Sequence, residues 1–361
     1  MKPLHPVAFA VAAALFSSLV LGQTSVKPPK MPAFNNITDD TPYDDKPLPE
    51  QPAALKAELM DLTQGSVSER VAKLKAKVLR DLVFLKGGTF MMGDFGPLWI
   101  PGGGGYYTTG FDNKPPHKVT LTGFSLMRYK ATYAELDVFS DATGQPRAGM
   151  EWDKPRYRHP LIPAGMYWQR AKDYCTWLGQ QTGLAFDLPT EAQWEYAARS
   201  GGQFFIWATD DGNMDRGRNI ASYKQADALM PVTWTSTEDP DVTVHARTYP
   251  VGIYPPNPAG LYEMNANGVE WMQDWYDPKY YSHSPEHDPK GPATGTKRVM
   301  KGQRNGGSYD RATNLVRKPA DPMLFGRQIN YRGEEWFGPG LNMQTTVRCA
   351  VNLDQPVTHL P

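Results

Sequence analysis

Between residues 52 and 82 apolar side chains recur at helical spacing: Ala53, Leu55, Leu59 and Leu62, then Val71, Leu74, Val78 and Leu82. Positions three and four apart share one face of a helix. Lys, Arg, Asp and Glu fill most of the other face, and Gly65-Ser66 interrupts the run. Two short helices are predicted, forming a brace over residues 51–82 on the main domain. At Val83 the period changes. Val83 to Gly93 reads as a strand, a Gly87-Gly88 turn and a second strand, and His117 to Met127 alternates as one strand should. Thr132 opens a helix reaching Ser140, with Glu135 placed to complete its cap. Trp168 to Gly179 predicts another, with Tyr174, Trp177 and Leu178 on one side. Thr190 to Arg199 predicts a third, capped by Thr190 with Gln193 closing the box. After Gly201 the pattern is loops, Trp-rich turns and short strands, with no internal repeat. Pro101 to Tyr107 is Gly-rich but lacks the Lys-Ser/Thr and helix start of a phosphate loop, so it is expected to be a surface loop.

The N-terminus differs from the rest. Met1-Lys2-Pro3 precedes an apolar run from Val7 to Leu21. That run is shorter than the ~20 residues needed to span a bilayer, and it has the charged and apolar regions of a signal peptide. Residues 1–22 are expected to be removed on export, leaving a periplasmic or secreted protein. No cysteine follows the run, so no lipid anchor is expected. Residues 23–50, rich in Pro, Asp, Lys and Thr, read as an extended linker. No later segment is long and apolar enough to predict a membrane span.

Composition narrows the class. The 361 residues carry 38 Lys+Arg against 38 Asp+Glu, a net charge of zero, which argues against a nucleic-acid binder. Apolar residues at 40% are enough for a core. The 33 Gly and 33 Pro predict many turns and few long elements. Cys175 and Cys349 are the only two cysteines, too few for a disulfide framework or a Cys-rich zinc site. They can form one bridge in an oxidising compartment or stay as two buried thiols.

A series of ordered blocks carries a resemblance. These are Val83 to Gly93, Lys114 to Phe124, His159-Pro160, Ala171 to Trp177 and, most specifically, Leu188 to Arg199. Tyr249 to Gly252, Pro256-Asn257, Gly260 to Met264, Val269 to Trp275, Gly306 to Tyr309 and Val347 to Ala350 follow. In these blocks the chain resembles the sulfatase-modifying-factor family, founded on the formylglycine-generating enzyme. The resemblance covers about residues 83–352 and leaves 353–361 as a tail. It implies one α+β domain of the C-type-lectin-like kind, low in regular secondary structure.

The family's enzyme oxidises a substrate cysteine with copper and oxygen, using a cysteine pair soon after the Gly-Gly-Ser block. Thiolates suit Cu(I) and exchange with a substrate thiol. Here those positions fall on Arg311 and Val316. Neither can do this chemistry, and Ser308 cannot do it alone, so no copper and no formylglycine generation are expected. The resemblance implies a structural disulfide between Cys175 and Cys349. It also implies calcium, held by the Glu263 and Glu270 side chains and the Ala266 and Gly268 carbonyls, with Asn219 and Ile220 opening a second site. A plainer reading has Glu270 anchoring a buried loop through backbone N–H groups. His283 and His287 sit in a Pro-broken loop, where no metal role is expected.

Relatives without the cysteine pair occur in type VI secretion loci. The resulting expectation is an exported, non-catalytic protein-binding module with a protein partner: a periplasmic regulator, accessory or immunity protein of a secretion system. The alternative is a periplasmic oxidoreductase acting on a small molecule, as implied by a pyoverdine-maturation relative that also lacks the pair. Glu270 or Asp310 would then act as the acid.

Overall fold

The structure, a computed structural model, describes residues 46–99, 104–150, 158–230, 233–235, 243–245, 248–303, 313–323, 325–329, 335–339 and 344–358. The expected signal peptide and most of the linker lie outside them. Helices α1 (Ala53–Asp61) and α2 (Val67–Arg80) lead to β1 (Leu82–Leu85) and β2 (Gly88–Met92). A single turn, α3 (Gly96–Trp99), precedes β3 (His117–Leu121), β4 (Phe124–Met127) and α4 (Tyr133–Thr143). Then come α5 (Trp168–Thr182), β5 (Phe186–Asp187), α6 (Glu191–Ala198) and α7 (Tyr223–Ala228). The ribbon β6 (Thr233–Thr235) and β7 (Thr243–His245) and the long β8 (Gly268–Trp275) follow. The remaining strands are β9 (Arg298–Gln303), β10 (Lys318–Ala320), β11 (Phe325–Ile329), β12 (Glu335–Pro339), β13 (Thr345–Thr346) and β14 (Ala350–Val351).

Two four-stranded sheets organise these pieces. One runs β1-β4-β14-β5, all antiparallel, and the other β10-β9-β8-β13, with β13 parallel to β8. The architecture is α+β with modest regular structure. Thr132 accepts from the Glu135 amide while Glu135 accepts from the Thr132 amide, and Thr190 and Gln193 do the same for α6. Gly183, at φ +73°, ends α5 three residues past the predicted stop.

Two predictions change. The run 117–127 is two strands rather than one: β3 pairs with β2, while β4 joins β1 and β14. The chain turns at Gly123, where a β-carbon would lie 2.9 Å from the Asp354 backbone. Nor do β1 and β2 form a hairpin. Gly87, at φ +78° and backed by the Leu121 carbonyl, sends the chain from one sheet to another.

The brace helices belong to the main core. Leu55, Leu59, Leu62, Leu74 and Val78 are buried with Leu136 and Phe139 of α4, Tyr174 and Trp177 of α5, and the cysteines. Their charged positions are not all outward. Lys77 is 1% exposed and its Nζ donates to Asp81 (2.8 Å) and Glu135 (3.0 Å), tying α2 to α4. Cys175 on α5 is joined to Cys349, which immediately precedes β14; both are fully buried.

Candidate functional site

The loop from Glu263 to Gly268 feeds β8 and is wound tightly. Glu263 (φ +49°) and Asn267 (φ +56°) take the left-handed conformation, uncommon outside glycine. Side-chain bonds hold it. Asn267 accepts from the Tyr249 amide (3.0 Å) and donates to the Tyr249 carbonyl (2.8 Å), and Asn265 accepts from the Ala208 amide. Glu263 Oε1 accepts from the Gly252 (2.8 Å) and Ile253 (3.1 Å) amides.

Glu270 lies two residues along β8, fully buried. Its Oε1 accepts from Lys130 Nζ at 2.6 Å and Arg348 Nη2 at 3.2 Å. Its Oε2 accepts from Arg348 Nε at 2.9 Å and Trp194 Nε1 at 3.1 Å. Lys130 Nζ also donates to the Gly268 carbonyl at 2.9 Å. Arg348 reaches the Met127, Arg128 and Tyr262 carbonyls as well, at 3.0, 2.9 and 2.7 Å. Burial raises the Glu270 carboxyl, but Arg348 and Lys130 outweigh it and hold the group below the usual range. Burial pushes Lys130 down to about 8 against the pull of Glu270. Burial pushes Glu263 up to about 7, opposed by Lys130 and the two amides.

Three of the four groups expected to hold calcium are therefore engaged otherwise. Calcium takes six to eight oxygens with their lone pairs free. Both Glu270 oxygens carry cationic or indole donors, the Gly268 carbonyl carries an ammonium, and Glu263 Oε1 carries two amides. Glu263 Oε2 is buried without a hydrogen-bond partner, as is Asn265 Nδ2 in the same loop. The donor set does not fit calcium. Glu270 does anchor a loop, through side-chain cations and an indole and not through backbone N–H groups. Its burial also removes it as an accessible acid, and Asp310 lies outside the described residues.

The second calcium candidate is likewise occupied by protein. Asn219 Oδ1 accepts from the Asp215 amide (2.8 Å), and the Ile220 carbonyl accepts from the Gly217 amide (2.6 Å). Arg218 spans Asp210, Asp211 and Asp215 at 2.6–2.8 Å. His283 is exposed, 3.6 Å from Asp277, while His287 bridges to Thr120. Among the described residues no three His, Cys, Asp or Glu side chains converge as a metal site.

A second buried network escaped the sequence reading. Glu191 and Glu195 lie one turn apart on α6. Glu195 pairs with Lys301 (3.1 Å) and Arg199 (3.1 Å); Glu191 pairs with Arg317 (2.8 Å) and accepts from the Tyr281 hydroxyl (3.1 Å). Asp274 accepts from the Glu191 amide (2.8 Å), and burial together with Glu191 pushes it up to about 7. The available signal was two acids four apart, Glu191 and Glu195, within Leu188–Arg199.

Arg311 lies outside the described residues. Val316 is half-buried in a segment pinned by Asn314, whose amide donates to the Ile206 carbonyl (2.8 Å), and by Asn113, which donates to the Leu315 carbonyl (2.9 Å). Beside it Arg317 donates to the Asp112 carbonyl (2.8 Å). Nearby, Leu98 of α3 (48%), Tyr106 (46%) and Phe111 (87%) are exposed, with Lys114 Nζ 4.2 Å over the Tyr106 ring. The block tryptophans Trp177, Trp194 and Trp271 are core, while Trp168 and Trp275 sandwich the Arg298 guanidinium at 3.7 and 3.4 Å. No helix among the described residues is long and apolar enough to cross a membrane.

Comparison with known proteins gives these geometries a context. The model of the sulfatase-modifying factor enzyme 1-like domain matches residues 67–333, starting within the brace at α2. The chain is 32% identical over 277 residues to the formylglycine-generating enzyme of Streptomyces coelicolor, covering 64% of this chain and 79% of that one. It is 31% identical to the serine/threonine-protein kinase pkn1 of Chlamydia pneumoniae over 62% of this chain, but spans only 33% of that protein. Among solved structures it is similar to PvdO from Pseudomonas aeruginosa, with a TM-score of 0.52 and 26% identity. That match covers 75% of this chain and 94% of PvdO.

Proposed function

Because this chain belongs to the sulfatase-modifying factor enzyme 1-like family, we propose that it is an exported, non-catalytic protein-binding module on that scaffold. Its role would be that of a periplasmic regulator, accessory or immunity protein of a secretion system. One observation carries the reading: both cysteines of the chain are joined to each other, fully buried, and no free thiol remains. Thiol–copper chemistry needs a thiolate that the substrate can reach. The exposed Leu98, Tyr106 and Phe111, held beside the segment ending at Val316, offer aromatic anchors for a protein partner. Purified protein given copper, oxygen and a cysteine-bearing sulfatase peptide is expected to form no aldehyde, and cells making the full chain should export it and remove residues 1–22. Aldehyde formation on the peptide would overturn the reading.

The likeness to PvdO favours a second reading, a periplasmic oxidoreductase acting on a small molecule. Glu270 cannot be its acid, being sealed by Lys130, Arg348 and Trp194. Oxygen uptake with a small phenolic substrate would support this reading against the first.

A further inference from the structure

We infer that the Lys130 ammonium is the resident cation of the Glu263–Gly268 loop, so that the loop is built without a bound metal. Four observations carry this. Lys130 follows β4 and reaches across the domain to a segment about 140 residues away, where its Nζ meets the Gly268 carbonyl at 2.9 Å and Glu270 Oε1 at 2.6 Å. A carboxylate and a loop carbonyl are the oxygens a hard cation would take. Second, both residues are fully buried, so the ammonium is not a surface visitor; an unpaired buried lysine would shed its proton or unfold the site.

Third, the charges balance without a metal. Lys130 and Arg348 face Glu263 and Glu270. Two cations against two carboxylates leave no negative charge for a dication, which would also sit against the ammonium inside a low-dielectric core. Fourth, the oxygens expected to open a second calcium site are also taken by protein donors: Asn219 Oδ1 accepts from the Asp215 amide (2.8 Å) and the Ile220 carbonyl from the Gly217 amide (2.6 Å).

The native protein and Lys130→Ala together test this. Native protein purified without chelator should carry no stoichiometric calcium. Its melting temperature should be the same in EGTA as in millimolar calcium chloride. One calcium per chain, with a fall in melting temperature on adding EGTA, would overturn the inference. Lys130→Ala removes the ammonium and opens its volume. In EGTA it should melt lower by about 5 °C or more, and calcium should restore part of that loss. If the variant accumulates only unfolded, refolding in calcium but not in EGTA is the same positive result. A variant as stable as the native protein in EGTA would show that the loop needs no cation. One that is destabilised and indifferent to calcium would show that the ammonium does not stand in a cation site.

Discussion

Replacing Cys175 and Cys349 together by alanine removes the cross-link between α5 and the segment entering β14. The bridged residues are 174 apart in sequence. In the chain-entropy model a closed loop of that length restricts the unfolded chain by about 5 kcal/mol. Both sulfurs are fully buried, so their loss adds a packing term of the same sign, on the order of 1 kcal/mol each. A total of about 7 kcal/mol is a large share of the 5–15 kcal/mol that separates folded from unfolded domains. With a guanidinium m value of about 5 kcal/mol per molar, the midpoint should move down by roughly 1.4 M. Reduction of the native protein should give most of the same shift. The single Cys175→Ala variant should resemble the double one, since either change opens the bridge. Thiol titration of unfolded, unreduced protein should find no free thiol, and after reduction two. A midpoint change below about 0.2 M, or two free thiols without reductant, would refute the argument. It would also return to the chain the thiols that its proposed function does without.

Glu270→Gln leaves Lys130 and Arg348 facing a neutral amide in a fully buried site; removing one partner of such a cluster costs about 3–5 kcal/mol, read as a lowered guanidinium midpoint. Glu263 titrates at about 7 in the fold, against about 4.3 unfolded. An acid raised on folding stabilises through its protonated form, so its contribution is full below about pH 4 and is lost as pH rises through 7. Glu263→Gln holds the neutral form and keeps an acceptor for the Gly252 and Ile253 amides. It should gain on the native protein between pH 5 and 8, by on the order of 3 kcal/mol; denaturation curves with the same pH dependence for both would count against this. Phe111→Ser alters a side chain that is 87% exposed. Stability should stay within about 0.5 kcal/mol, while affinity for the proposed protein partner falls; unchanged affinity would remove Phe111 from the proposed binding surface.

What the sequence disclosed was mostly local. The caps of α4 and α6 could be read because Thr132 and Glu135, or Thr190 and Gln193, are three residues apart and bond within that span. The break at Gly123 could not, because alternation along 117–127 does not reveal that Asp354 crosses there. Lys77 and Lys130 look like ordinary surface lysines until partners 58 and 140 residues away are brought to them. The same holds for Arg348, whose contacts lie on three separate segments, at Met127-Arg128, Tyr262 and Glu270. The calcium expectation rested on oxygens within one short stretch, Glu263 to Glu270. It changed because the competing donors came from elsewhere in the chain. Cys175 and Cys349 were legible as a pair only through the family resemblance; composition left a bridge and free thiols equally open.

The buried charges bear on function through rigidity more than through chemistry. Desolvating Glu270, Lys130 and Arg348 costs several kcal/mol per ion, offset by the ion pairs and the further hydrogen bonds the ions make. Here Trp194 of α6, the carbonyls of Met127 and Arg128, and the Gly268 carbonyl add such bonds, so one centre ties both sheets and a helix together. The Glu191–Arg317 pair extends the same logic to the segment beside Phe111. Loops attached to such a frame can present a fixed surface without catalytic groups of their own. The two kinds of variant should therefore separate. Glu270→Gln should reduce the fraction of folded protein while leaving partner affinity per folded chain unchanged, and Phe111→Ser should do the reverse. If Glu270→Gln instead abolished an activity in protein that remained fully folded, the buried carboxylate would have a chemical role that its sealed surroundings argue against.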